Sequence, residues 1–180
     1  MELENKNFNL EIRSVDDAGV FSGYGSVFNV KDAMGDIVYP GAFVKSITKK
    51  MPVMLWQHNS EEPIGIYTDI SEDGKGLKLT GKLLIDEVQK DREAYALLKA
   101  NAIRGLSIGY IPLKYDSRND EKGYFEGRDL KEIDLWEVSL VTFPANPKAI
   151  IGNIKNFTEE KELINSAEKI LRILKGDNYK

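Results

Sequence analysis

His58, the one histidine among 180 residues, closes a short apolar run in "PVMLWQHNSEEPIG". An imidazole is near half-protonation around neutral pH, so it can take and return a proton as a general base. On a strand starting near Val53 it would share a face with Met54 and Trp56, where a satisfied, partly buried histidine is the plain alternative. Ser107 stands in "IRGLSIGY". Strand alternation sends its hydroxyl away from Leu106 and Ile108, to a face shared with Gly105 and Gly109. Such small neighbours leave a nucleophilic oxygen accessible, and they equally suit a strip on which another backbone packs. The strand continues past Ser107, unlike the strand-to-helix turn of a G-x-S-x-G nucleophile elbow.

Glu137 lies in "EIDLWEVSLVTFPANP", and alternation groups it with Ile133, Leu135, Ser139 and Val141. A carboxylate in so apolar a row needs a partner, because burying it unpaired is costly. A lysine or arginine would serve, and so would an imidazole N–H. Asp134 is the rival acid, sharing its face with Glu132 and directed towards solvent. Arg104, beside the Ser107 strand, could assist an oxyanion or simply form a surface ion pair. Asp32 and Asp36 flank a turn, and turn chemistry accounts for them without a metal. "GYGSVFNV" has no helix after it, so its glycines are not a phosphate cradle.

These residues need elements to hold them. Alternation in "FNLEIRSV" and "GVFSGYGSVFNV" predicts strands, with glycines at bulges or bends. Pro40 could open a short helix carrying Phe43, Val44 and Ile47. "VMLWQH" reads as a strand, and "IGIYTDIS" with "GLKLTGKLLID" as a hairpin around "EDGK". "DEVQKDREAYALLKANA" predicts a helix, with Asp86 and Gln89 as a capping box and Val88, Tyr95 and Leu98 on one stripe. "RGLSIGYIPLKYD" and "LKEIDLWEVSLVTF" are strands on either side of a polar turn, "SRNDEKG". Leu163, Ile164, Ala167, Ile170, Leu171 and Leu174 form an amphipathic helical face ending near Gly176. The expected fold is α+β and β-rich, a closed or partly open barrel with flanking helices. Residues 1–156 would form the barrel domain and 157–180 the terminal helix.

Composition narrows the chemistry. With 42% hydrophobic residues the chain can bury a full-sized core. A net charge of -4, with lysines scattered among acids, argues against nucleic acid as a partner. No cysteine is present, which removes disulfides, thiolate nucleophiles and zinc–cysteine sites. One histidine cannot build a multi-histidine metal site. "MELENKNFNL" has neither a basic n-region nor an apolar h-region, and no apolar run approaches membrane-spanning length, so no secretory route or membrane partner is expected.

The stretches "GYGSVFNVKDAMGDIVYPGAF", "MLWQHNSEEPIGI", "IRGLSIGYIP" and "EIDLWEVSLVTFPANPKAII", in this order, resemble the tailed-phage prohead proteases. That family's fold is similar to that of assemblin, the herpesvirus capsid-maturation protease. The resemblance spans roughly residues 8–151, and "GLSIGY" and "EVSLV" are its most specific parts. It implies a serine endopeptidase without a cofactor, Ser107 being the nucleophile and His58 the catalytic histidine. Assemblins use a second histidine as third member, which this chain lacks; Glu137 takes that place, or a Ser–His dyad acts alone. The implied substrates are a scaffold protein or the scaffold-like extension of the major capsid protein, and the protease itself. The implied setting is the immature prohead, in a bacterial host's cytoplasm. Assemblins are activated by dimerisation, so a homodimer or higher homo-oligomer is a further expected partner. A catalytically silent capsid-assembly module on the same barrel, or an unrelated small β-barrel binder, are the competing readings.

Overall fold

Alternating apolar residues pair into strands here because each strand then offers one face to a common core. The computed structural model describes residues 15–152. In chain order these form β1 (Val20–Val27), β2 (Ile37–Val38), α1 (Val44–Ile47), β3 (Val53–Trp56), β4 (Asn59–Pro63), β5 (Ile66–Glu72) and β6 (Gly76–Lys82). Then follow α2 (Gln89–Lys99), β7 (Gly105–Asn119), β8 (Phe125–Val141) and β9 (Ile151–Gly152). The terminal helix and, apart from Val15, the strand expected over residues 8–15 lie outside the described residues. Among those described, no helix is long and apolar enough to cross a membrane.

One sheet has four strands in the order β5-β6-β1-β9; the other has five, β2-β8-β3-β4 with β7 also paired to β8. Residues 149–151 join them along a seam. Gly105 bridges Ile150, Leu106 N–H donates to Ala149 O at 2.9 Å, and β9 pairs with β1. The molecule is β-rich with few helices, but no sheet closes into a barrel among the described residues. Fully buried Phe21, Phe43, Met54, Leu79, Leu106 and Leu135 are part of one core cluster.

The hairpin around "EDGK" forms as β5 and β6, and β1 carries a register irregularity between Tyr24 and Ser26, at Gly25. Helix α1 is a single turn starting after Pro40, with Phe43 as its N-cap. Glu72, on β5, accepts from Gly41 N–H at 2.7 Å and Phe43 N–H at 2.6 Å. The capping box at α2 does not form. The chain makes a turn from Leu84 to Val88 first, so Gln89 becomes the first helical residue and Val88 the cap. Gln89 instead donates to Glu93, and buried Asp91 reaches back to accept from Leu84 N–H at 2.5 Å.

β8 holds the molecule together, its backbone groups being satisfied by several elements in turn. Asp129 and Leu130 pair with β2, and Ile133 N–H donates to Ala42 O at 3.0 Å. Leu135 N–H donates to the buried hydroxyl of Ser46 on α1 at 2.8 Å. From Glu137 to Leu140 the partner is β3, in parallel. All of these lie along β8, while β7 pairs with it for almost its whole length.

Candidate active site

The β7–β8 register decides which side chains meet. Directly opposed residues of an antiparallel pair share a face. Leu106 and Ile108 oppose Leu140 and Val138, and Ser107 and Gly109 oppose Ser139 and Glu137. The Ser107 hydroxyl therefore leaves the core side, as alternation predicts. Its expected companions on β8 need correcting. Trp136 is an extra residue, a bulge between the Gly109–Glu137 and Tyr110–Leu135 pairs. Ile133 and Leu135 face the core before it, Val138 and Leu140 after it. Glu137 and Ser139 thereby swing to the opposite side, off the apolar row where simple alternation puts them.

The glycines of β7 do not leave open space. A Cβ at Gly109 would lie 2.8 Å from Glu137 Cδ and closer still to Oε1, so the carboxylate occupies the room a side chain would take. A Cβ at Gly105 would sit 2.7 Å from the Pro144 ring. Both positions are kept bare by close approach rather than for access.

His58 departs from the expected strand. β3 ends at Trp56, and Gln57 and His58 form a turn with φ of 51° and 62°, both left-handed. Non-glycine residues in that region cost on the order of 1 kcal/mol each, so the turn must be held from outside. Gln57 N–H donates to Leu140 O at 3.0 Å, and its side chain bonds Thr142 twice, Nε2 donating to Oγ1 at 2.9 Å and Oε1 accepting from N–H at 3.3 Å. His58 N–H donates to Ser139 Oγ at 3.1 Å. Thus clamped to β8, the imidazole sets Nδ1 2.6 Å from Glu137 Oε1, and Ser139 Oγ donates to the other carboxylate oxygen at 2.6 Å.

Against a carboxylate, Nδ1 must carry the proton, which leaves Nε2 as the ring nitrogen with a lone pair to offer. The hydrogen bond to Glu137 raises the His58 pKa above its usual value; burial opposes it, and the carboxylate's charge adds to it. His58 and buried Ser107 both line one cavity of about 190 Å³, with no direct hydrogen bond between them among the described residues. Among its walls are Asp36 and Tyr110. Burial acts to raise the Asp36 carboxyl, but hydrogen bonds from Arg128 outweigh it and hold the acid below the usual range. Asp36 Oδ2 accepts from Arg128 Nη2 at 2.5 Å and from the Tyr110 hydroxyl at 3.1 Å. Asp32 is the turn residue its sequence predicts, accepting from Met34 and Asp36 N–H.

His58 and Glu137 are in contact, and Ser107 lines the same cavity as His58. Asp134 is engaged elsewhere, accepting from Trp136 Nε1 at 2.8 Å and pairing with Lys50 at 3.4 Å. Arg104 is exposed ahead of β7 and does not line the cavity. Ser139 is a residue that sequence reasoning placed but gave no role. The signal was present: apolar positions 133, 135, 138 and 140 run at intervals of two, three and two, which marks a bulge and puts Glu137 and Ser139 together on the other side. No group of three or more potential ligands among the described residues is arranged to hold a metal.

Residues 8–163 match the family described as caudovirus prohead serine protease. The prohead protease of Enterobacteria phage HK97 is 34% identical over 158 residues, covering 86% of this chain and 68% of that protein. The capsid polyprotein of Pseudomonas phage PAJU2 is 33% identical over 159 residues, 84% of this chain but 22% of that protein. Among solved structures, varicella-zoster virus protease superposes with a TM-score of 0.45 at 14% identity, over 73% of this chain and 62% of the other. On the match across most of its length, the chain belongs to the caudovirus prohead serine protease family.

Proposed function

We propose that the chain acts in phage head maturation as a serine endopeptidase, with Ser107 as nucleophile, His58 as general base and Glu137 as the acid that orients it. The observation that carries this is the 2.6 Å bond between His58 Nδ1 and Glu137 beside the cavity that Ser107 also lines. His58 Nε2 would take the Ser107 proton as Oγ attacks the scissile carbonyl, then deliver it to the leaving amine. Water would hydrolyse the resulting acyl-enzyme by the same exchange in reverse. Glu137 fixes the tautomer and stabilises the imidazolium that forms between the two transfers. The raised His58 pKa has the same cause: a carboxylate held against Nδ1 favours the protonated ring.

The proposed substrate is a scaffold protein or a scaffold-like extension of the capsid protein, with cleavage of the protease itself in addition. A segment similar to this chain within a protein named a capsid polyprotein supports a capsid-protein substrate, since a polyprotein is a precursor to be cut. The test is co-expression with the capsid or scaffold protein, read by intact mass. Ser107→Ala and His58→Ala should each lower turnover roughly 10³-fold or more. Equal cleavage by wild type and Ser107→Ala overturns the nucleophile; no cleavage by either supports a silent assembly module.

A further inference from the structure

We propose that Ser139 is a positioning residue for the His58–Glu137 pair, its hydroxyl setting both the acid and the backbone that carries the base. The inference rests on the proteolytic reading above and extends it to a residue outside the Ser–His–Glu set.

Ser139 is fully buried on β8, directly opposite Ser107. A buried hydroxyl must satisfy its donor and acceptor capacity, and here both go to the same pair. Its proton goes to Glu137 Oε2 at 2.6 Å, and it accepts from His58 N–H at 3.1 Å. With the Nδ1–Oε1 bond these contacts close a ring that runs from the His58 backbone through Ser139 and Glu137 to the imidazole of the same residue. Ring closure fixes the imidazole relative to its own backbone, which a single bond to the acid would not do. It also settles which carboxylate oxygen meets the ring, because the terminal torsion of a glutamate is otherwise broad. Gln57 and Thr142 hold the preceding residue only, so they cannot supply this orientation.

The chain's single histidine makes the test clean, since any imidazole resonance belongs to His58. Wild type, Ser139→Ala and Ser139→Thr are compared by steady-state kinetics, by thermal melting and by proton NMR of the Nδ1–H. In Ser139→Ala, kcat should fall about 10- to 100-fold with KM nearly unchanged, and the Nδ1–H signal should be lost to exchange. Ser139→Thr, which keeps a hydroxyl, should recover the signal and most of kcat. A Ser139→Ala protein that melts earlier, yet keeps the signal and its kcat per folded molecule, overturns the proposal. Wild type alone gives a second check, independent of whether any variant folds: the His58 backbone amide should be protected from hydrogen exchange, and rapid exchange overturns the clamp. Ser107→Ala separates the two levels of inference. If it cleaves like wild type the proteolytic assignment fails, while loss of the Nδ1–H signal in Ser139→Ala would still sustain the clamp.

Discussion

The two sides of the candidate site are built by opposite means. Ser107 and Glu137 stand on β7 and β8, a long antiparallel pair whose ladder fixes them by backbone bonds. His58 stands on a two-residue left-handed turn between β3 and β4, where Trp56 pairs with Asn59, and apart from one backbone bond from Gln57 it is tied to β8 by side chains. A ladder is redundant, because losing one contact leaves its neighbours in place. The turn has far less reserve, with the short β3–β4 pair and one backbone bond to β8 behind it. The nucleophile and acid are therefore the stiff half of the arrangement, and the base is the half whose position depends on individual hydrogen bonds.

Removing the acid's charge strikes where the halves meet and should have the largest effect. Glu137→Gln is expected to cut turnover about 10²-fold or more, though by less than loss of Ser107 or His58. It should also shift the pH profile. Glu137 raises the His58 pKa, and the base acts only when neutral, so the acidic limb of kcat/KM should move to lower pH in the variant. For stability the sign reverses. A raised folded pKa contributes fully below the unfolded value of about 6.5, and that contribution fades as pH climbs through the folded one. Half-exposed His58 keeps the contribution small. An unshifted limb in Glu137→Gln would break the link between the two halves.

Gly109→Ala tests the stiff half from the β7 side. The added methyl must displace the Glu137 carboxylate, so activity should fall about 10-fold or more while the ladder keeps the melting temperature within a few degrees. Near-wild-type activity would mean that the acid can reach His58 from another rotamer. Gln57→Ala tests the soft half and should have the mildest effect. Loss of the Thr142 contacts should lower kcat about 3- to 10-fold and raise hydrogen exchange in the turn, with Ser139 still holding the His58 amide. A larger loss than in Gly109→Ala would invert the proposed order.

The same division governs what could be read from the sequence. Strand alternation reports which face a residue takes within a regular ladder, so the outward Ser107 hydroxyl was legible from Leu106 and Ile108 alone. The bulge at Trp136 was missed because Ile133, Leu135 and Val141 also satisfy an unbroken period of two; only Val138 and Leu140 together reveal the slip. The turn at Gln57 was missed for a different reason. Neither Gln57 nor His58 favours a left-handed backbone strongly enough to announce one, and what stabilises it, Thr142 and Ser139, lies some eighty residues away. The capping box at Asp86 failed similarly, because a local signal lost to the Leu84 turn and Asp91. Nothing in the sequence marks Arg128 as the partner of Asp36, since burial creates that need and burial is a property of the fold.

Trp136 contributes little by its identity, since its ring is more than half exposed, but a great deal by its presence. Every residue after it in β8 is phased by one count. Exchange of the indole for another side chain would leave that phase alone. Absorbing the position into a regular ladder, with no bulge, would turn Val138 outward and drive the acid into the oily interior, disarming the site without altering a single one of its functional groups.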